Sequence, residues 1–62
     1  MPMKPKEMMR YLEANGFKRV RSNGSHHFYR NFANGRTTTV PRHTKDLKYG
    51  TQKKILRDSG LY

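Results

Sequence analysis

The stretch from Ser22 to Val40, "SNGSHHFYRNFANGRTTTV", decides how this chain folds. It holds two Asn-Gly dipeptides, Asn23-Gly24 and Asn34-Gly35, with aromatic and β-branched residues between and after them. Asn-Gly tolerates positive φ at both central positions of a type I′ turn, which makes it a strong hairpin signal. The segments around the turns, "FKRVRS", "SHHFYRNF" and "RTTTV", suit strands. Two hairpins in series predict a three-stranded antiparallel meander. Val40-Pro41 closes the third strand, because proline cannot donate to a ladder.

Outward from the meander, each end reads as a helix. In "KEMMRYLEANG", Met8, Met9 and Leu12 form one apolar stripe. Pro5 suits the first helical turn and Asn15-Gly16 the stop, which predicts a helix from about Lys6 to Asn15. In "TQKKILRDSGLY", Thr51 is a candidate N-cap, Ile55 and Leu56 supply the buried side, and Gly60 ends the helix. The expected order is α-β-β-β-α: an α+β fold in which both helices cover one face of a three-stranded antiparallel sheet and leave the other open. This is the architecture of double-stranded RNA-binding domains. With no repeat, low-complexity segment or linker, residues 1–62 read as one domain.

Composition narrows the function. The chain has 62 residues, too few for a deep cavity, so any active site is expected to be shallow and on the surface. Fourteen Lys and Arg against four Asp and Glu, a formal charge of +10, point to a polyanionic partner, most simply nucleic acid. There is no cysteine, hence no disulfide framework or thiolate metal site. The opening "MPMKPKEMMRYLE" has no apolar signal region, and no apolar run approaches the ~20 residues of a membrane span. A soluble, cytoplasmic protein is expected.

The adjacent histidines stand out. Side chains alternate along a strand, so His26, Phe28 and Arg30 should share one face and His27, Tyr29 and Asn31 the other. One histidine would then face the helices and one the open side, unless a bulge beside Gly24 intervenes. Taken alone, the pair reads first as ordinary strand residues, one capping the core and one exposed. Adjacent strand residues do not easily chelate one ion, and no carboxylate stands beside them to orient the rings, so no metal site is expected.

The cations offer a surface for RNA. Lys45, Lys48, Lys53 and Lys54 cluster before and at the start of the second helix, where free N–H groups and the dipole favour an anion. Gly50-Thr51 would let a phosphate approach closely. Arg19 and Arg21 alternate outward along the first strand, and Arg30, Arg36 and Arg42 extend that surface. Such contacts position a nucleic acid without reading its sequence. The bland alternative is a solvated basic face. A neutral imidazole on this surface could take the proton of an RNA 2′-hydroxyl, and a neighbouring cation could stabilise the charged phosphorane.

The segments "NGSHHFYR", "TTTVPRHTKDLKYGT" and "KKILRDSGL" resemble HicA toxins of the YcfA type. The resemblance runs from "EMMRYLEANGF" to the terminal "SGL". These toxins are small mRNA endoribonucleases paired with HicB antitoxins. The resemblance implies the same α-β-β-β-α fold and a catalytic histidine in Gly24-Ser25-His26. Some members carry that histidine one place later, so His27 stays in play and His26 is preferred. It also implies cleavage of mRNA without a metal or cofactor, and neutralisation by a HicB-type antitoxin covering the site. Ser25 joins Arg19, Arg21, Arg30, Lys45, Lys48, Lys53 and Lys54 as an RNA contact. Val40-Pro41-Arg42-His43 reads as structure and RNA contact. The competing class is an RNA-binding module that does not cut. A DNA-binding architectural protein is least favoured, because the second helix must also cover the sheet.

Overall fold

The computed structural model describes residues 3–42 and 46–61. Its order is α1 (Pro5–Ala14), β1 (Phe17–Asn23), β2 (His26–Asn31), β3 (Thr37–Pro41) and α2 (Tyr49–Ser59). The strands form one antiparallel sheet in the order β1-β2-β3. Met8 and Leu12 of α1 and Ile55 of α2 bury in one core with Phe17, Tyr29, Val40 and Leu47. One shared core places both helices on the same face of the sheet, and the other face is open, as expected.

The helices end where local chemistry stops them. The Lys4 N–H donates to Glu7 Oε1 at 2.9 Å, which satisfies a donor that the helix itself leaves orphaned. Gly16 and Gly60 adopt positive φ, 91° and 76°. At α2, the Leu61 N–H reaches Leu56 O at 2.9 Å and the Gly60 N–H reaches Arg57 O at 3.1 Å, the paired bonds of a Schellman stop. The start of α2 differs from expectation. The helix begins at Tyr49 with Lys48 at the N-cap, so Thr51 lies inside the first turn.

The turns also differ. Asn23 pairs with His26, so the central residues of the first turn are Gly24 and Ser25. Gly24 has φ 62° and, among the described residues, none other than glycine has positive φ, which matches a type II′ turn rather than I′. The second connection is longer. The Asn31 N–H meets Arg36 O at 2.9 Å, and the Gly35 N–H meets Asn31 O at 2.7 Å, enclosing four residues. Only Gly35 of Asn34-Gly35 is left-handed.

The largest departure is a bulge in β1. Arg19 pairs with Tyr29 and Arg21 with Phe28, leaving Val20 as the extra residue. Strict alternation would put Phe17, Arg19 and Arg21 on one face. The bulge changes the phase. Phe17 turns into the core while Arg21 stays on the open face, and Val20 is left exposed.

Asn31 ties three segments together on the helix side. Its Nδ2 donates to Asn15 O at 3.3 Å, and its Oδ1 accepts from the Ala33 N–H at 2.9 Å. A Cβ on Gly16 would meet that Nδ2 at 3.3 Å, so glycine also suits the close approach of α1 to the sheet.

Candidate nucleic-acid interface and catalytic site

The open face is built from three cross-strand rows. The first is Asn23, His26 and Pro41; the second Arg21, Phe28 and Thr39; the third Lys18, Arg30 and Thr37. His26 opens the central strand, directly after the Gly24-Ser25 turn, and its side chain is exposed. The turn is pinned by the Arg42 N–H donating to Ser25 O at 2.7 Å. His26 therefore stands on backbone held by both neighbouring strands and by this tie. Fixed backbone of this kind is what a positioned proton-transfer group requires.

His27 has the opposite surroundings. It pairs with Val40 on the core side and is 8 % exposed. Its Nδ1 is buried without a hydrogen-bond partner among the described residues, as is Thr38 Oγ1. A large substrate on the open face cannot reach it.

The expected arginine pair does not share a face. Arg21 lies on the open side, with its guanidinium carbon 4.7 Å from the centre of the Phe28 ring. Arg19 registers with Tyr29, whose phenol is raised above its ordinary value by burial and then by the Glu13 carboxylate, with Arg19 and Arg42 opposing. The residue that joins Arg21 and Arg30 on the open face is Lys18. Sequence reading overlooked it because only the bulge brings it there. The need to bury Phe17 was the available signal, since Phe17 and Arg21 cannot part without a change of phase.

Arg30 is exposed at the end of β2, 5.4 Å from the ring of Phe32, which is 63 % exposed. Arg36 leaves the sheet surface. Its guanidinium lies against Gly60, where an added Cβ would come within 2.8 Å of Nε. A cation there complements the negative end of the α2 dipole.

The helical lysines are spread out. Lys48 caps α2, Lys53 lies 5.4 Å from the Tyr49 ring, and Lys54 pairs with Asp58 at 3.3 Å. That last pair is exposed, so its contribution is about 0–1 kcal/mol. A groove of about 690 Å³ has Arg21, His26, Phe28, Arg30 and the β3 threonines in its lining, together with Lys54 and Asp58. It thus joins the open face to part of α2 along the β3 edge. Nothing crowds Gly50, whose absent Cβ would meet open space. Lys45 and His43 lie outside the described residues.

Among the described residues, no group of three or more His, Asp or Glu side chains could hold a metal ion. No helix there is long and apolar enough to cross a membrane. No curated protein matches the chain as a relative. A family model, described as the HicA toxin of bacterial toxin-antitoxin systems, matches residues 5–61. The match takes in both helices, all three strands and every row of the open face; the chain belongs to the HicA toxin family, and a toxin of such a system has an antitoxin as its partner.

Proposed function

We propose that this toxin is an endoribonuclease that cuts mRNA on the open face of its sheet, with His26 as general base. The observation that carries this reading is the division of the two histidines. His26 is exposed on the face that also bears Lys18, Arg21 and Arg30, whereas His27 is buried in the core. Three permanent cations on the same face as one imidazole suit a substrate that is anionic and must also lose a proton.

RNA supplies its own nucleophile. Neutral His26 takes the proton of the 2′-hydroxyl, and the 2′-oxygen bonds to the adjacent phosphorus. The bond from phosphorus to the 5′-oxygen breaks, and that oxygen takes a proton from solvent. The imidazolium then releases its proton to water. Arg21 is the diagonal cross-strand neighbour of His26, roughly 7–8 Å away in sheet geometry, within reach of a phosphate beside the imidazole. A guanidinium there stabilises the charge that grows on the phosphorane oxygens. This route needs no metal or cofactor.

Lys18 and Arg30 extend the phosphate track along the face, and Ser25 borders it at the turn. Lys48, Lys53 and Lys54 continue it onto α2, and Lys45 is also a proposed RNA contact, whereas Arg19, in register with Tyr29 on the helix side, is left out of the track. The antitoxin is proposed to be of the HicB type and to cover the open face, with acidic groups to match a chain of net charge +10.

The test is cleavage of a mixed-sequence RNA in excess EDTA by the purified chain, His26→Ala and His27→Ala, with RNA binding measured in parallel. Loss of cleavage by about 10²–10⁴-fold in His26→Ala, with binding retained, supports the proposal. Wild-type binding without any cleavage favours the second reading, an RNA-binding module that does not cut. If His27→Ala folds, binds and loses cleavage while His26→Ala does not, the assignment to His26 falls.

A further inference from the structure

The open face carries more than charge. Two of its cations lie over aromatic rings at cation–π distance: Arg21 over Phe28 at 4.7 Å and Arg30 over Phe32 at 5.4 Å. Phe32 is 63 % exposed, beyond the end of β2, and has no part in the buried core. His26, Phe28 and Arg30 follow one another at two-residue steps, about 7 Å each along a strand. Phe32 continues the line past the sheet, within the same reach of Arg30.

We propose that this line is a stacking track for unpaired bases, so that the face takes single-stranded RNA and discriminates against duplex. The proposal rests on the reading that RNA lies on the open face. Aromatic rings and guanidinium planes stack on any base, because every base has a π-face, and they do so without reading sequence. Bases in a duplex are already stacked and paired, so their faces are not available to Phe32 or to the outer plane of Arg21. A face made only for duplex would need cations aimed at two phosphate backbones, not rings at its centre and end. Phe28 and Arg21 would hold the base beside the scissile step, and Phe32 with Arg30 a base further along. Thr37 and Thr39 border the track on the β3 side.

The test separates this from catalysis by using RNA that cannot be cut. Binding of the full chain is measured to a 2′-O-methyl single strand, to the same strand annealed to its complement, and to an abasic backbone of equal length. The variants are Phe32→Ala and Phe32→Trp. The chain has no tryptophan, so Phe32→Trp also provides a single reporter. The single strand should bind at least about tenfold more tightly than the abasic or duplex probe. Phe32→Ala should weaken single-strand binding by about 5–100-fold and leave abasic binding unchanged. Phe32→Trp should restore affinity, with emission quenched by the single strand alone. Unchanged single-strand affinity in Phe32→Ala overturns the proposal, as does duplex or abasic RNA that binds as tightly as the single strand. Neither result depends on whether the wild-type chain cleaves RNA.

Discussion

The two faces of β2 carry nearly the same chemistry and meet opposite fates. One presents His26, Phe28 and Arg30; the other His27, Tyr29 and Asn31. Each has an imidazole, an aromatic ring and a polar end. On the open side the imidazole is exposed and the ring lies under a guanidinium. On the helix side the imidazole is buried with Nδ1 unpaired among the described residues, the phenol ring is 2 % exposed, and the polar end ties α1 to the next loop. Residue type therefore does not decide role here. The phase of one strand against its neighbours does, because a one-residue slip moves every side chain to the other face.

Breaking that phase should have the largest effect. Phe17→Ala removes the buried ring whose place in the core fixes that phase. Losing a buried phenylalanine costs about 3–5 kcal/mol, a large part of the stability of a domain this small. Cooperative thermal unfolding by circular dichroism should disappear or shift strongly downward. A melting curve close to that of the parent would show that burial of Phe17 does not hold the phase of β1.

Exchanging the two imidazoles' surroundings is informative at the next scale. His26→Ala should alter stability by no more than about 0.5 kcal/mol, as a surface change does. His27→Ala removes buried volume and should cost more, about 1–3 kcal/mol. His27→Phe keeps the bulk and removes an unpaired buried nitrogen, so its urea midpoint should match or exceed that of the parent. Equal losses in both alanine variants would contradict the division between the faces.

Gly24 determines where β2 begins. It has φ 62° with nothing within 4 Å of an added Cβ, so Gly24→Ala tests conformation without a clash. The left-handed region costs roughly 1–2 kcal/mol for other residues, and the denaturation midpoint should fall accordingly. Gly60→Ala is the contrast, since it adds contact with Arg36 to the same backbone penalty.

The smallest effect concerns Tyr29 and high pH. Burial, and then Glu13, raise its phenol above the ordinary value of 10.0. The unfolded chain therefore loses this proton first as pH rises. The stabilisation is fully present below about pH 10 and is lost as pH climbs through the folded-state value. Tyr29→Phe should show a shallower decline above pH 10 than the parent, measured by urea midpoints across the range. Parallel profiles would mean that the phenol is not linked to folding.

Much of this was legible along the chain. The apolar stripe of Met8 and Leu12, the glycine stops at Gly16 and Gly60, and the period-two alternation of β2 are local properties, carried by residues near one another in sequence. The membership in the HicA family was legible too, because its motifs lie in short segments. The bulge was hidden, since Val20 is an ordinary strand residue and only competition between burying Phe17 and pairing β1 with β2 expels it. Lys18 was hidden with it. Lys48 displaced Thr51 at the N-cap for a similar reason. The start of α2 answers to the segment packed on it, where the Met3 N–H meets Gln52 Oε1 and the Leu47 N–H meets Met3 O.

By itself, then, the sequence determined the order of elements, the split of the two histidines between opposite faces, and the net charge of +10. These follow from periodicity, turn chemistry and composition, which act over a few residues. Which cations stand beside His26, and which rings stack with them, was decided only in the tertiary structure. Those neighbours come from three strands whose register must satisfy one shared core, and a single extra residue in β1 is where that requirement is met.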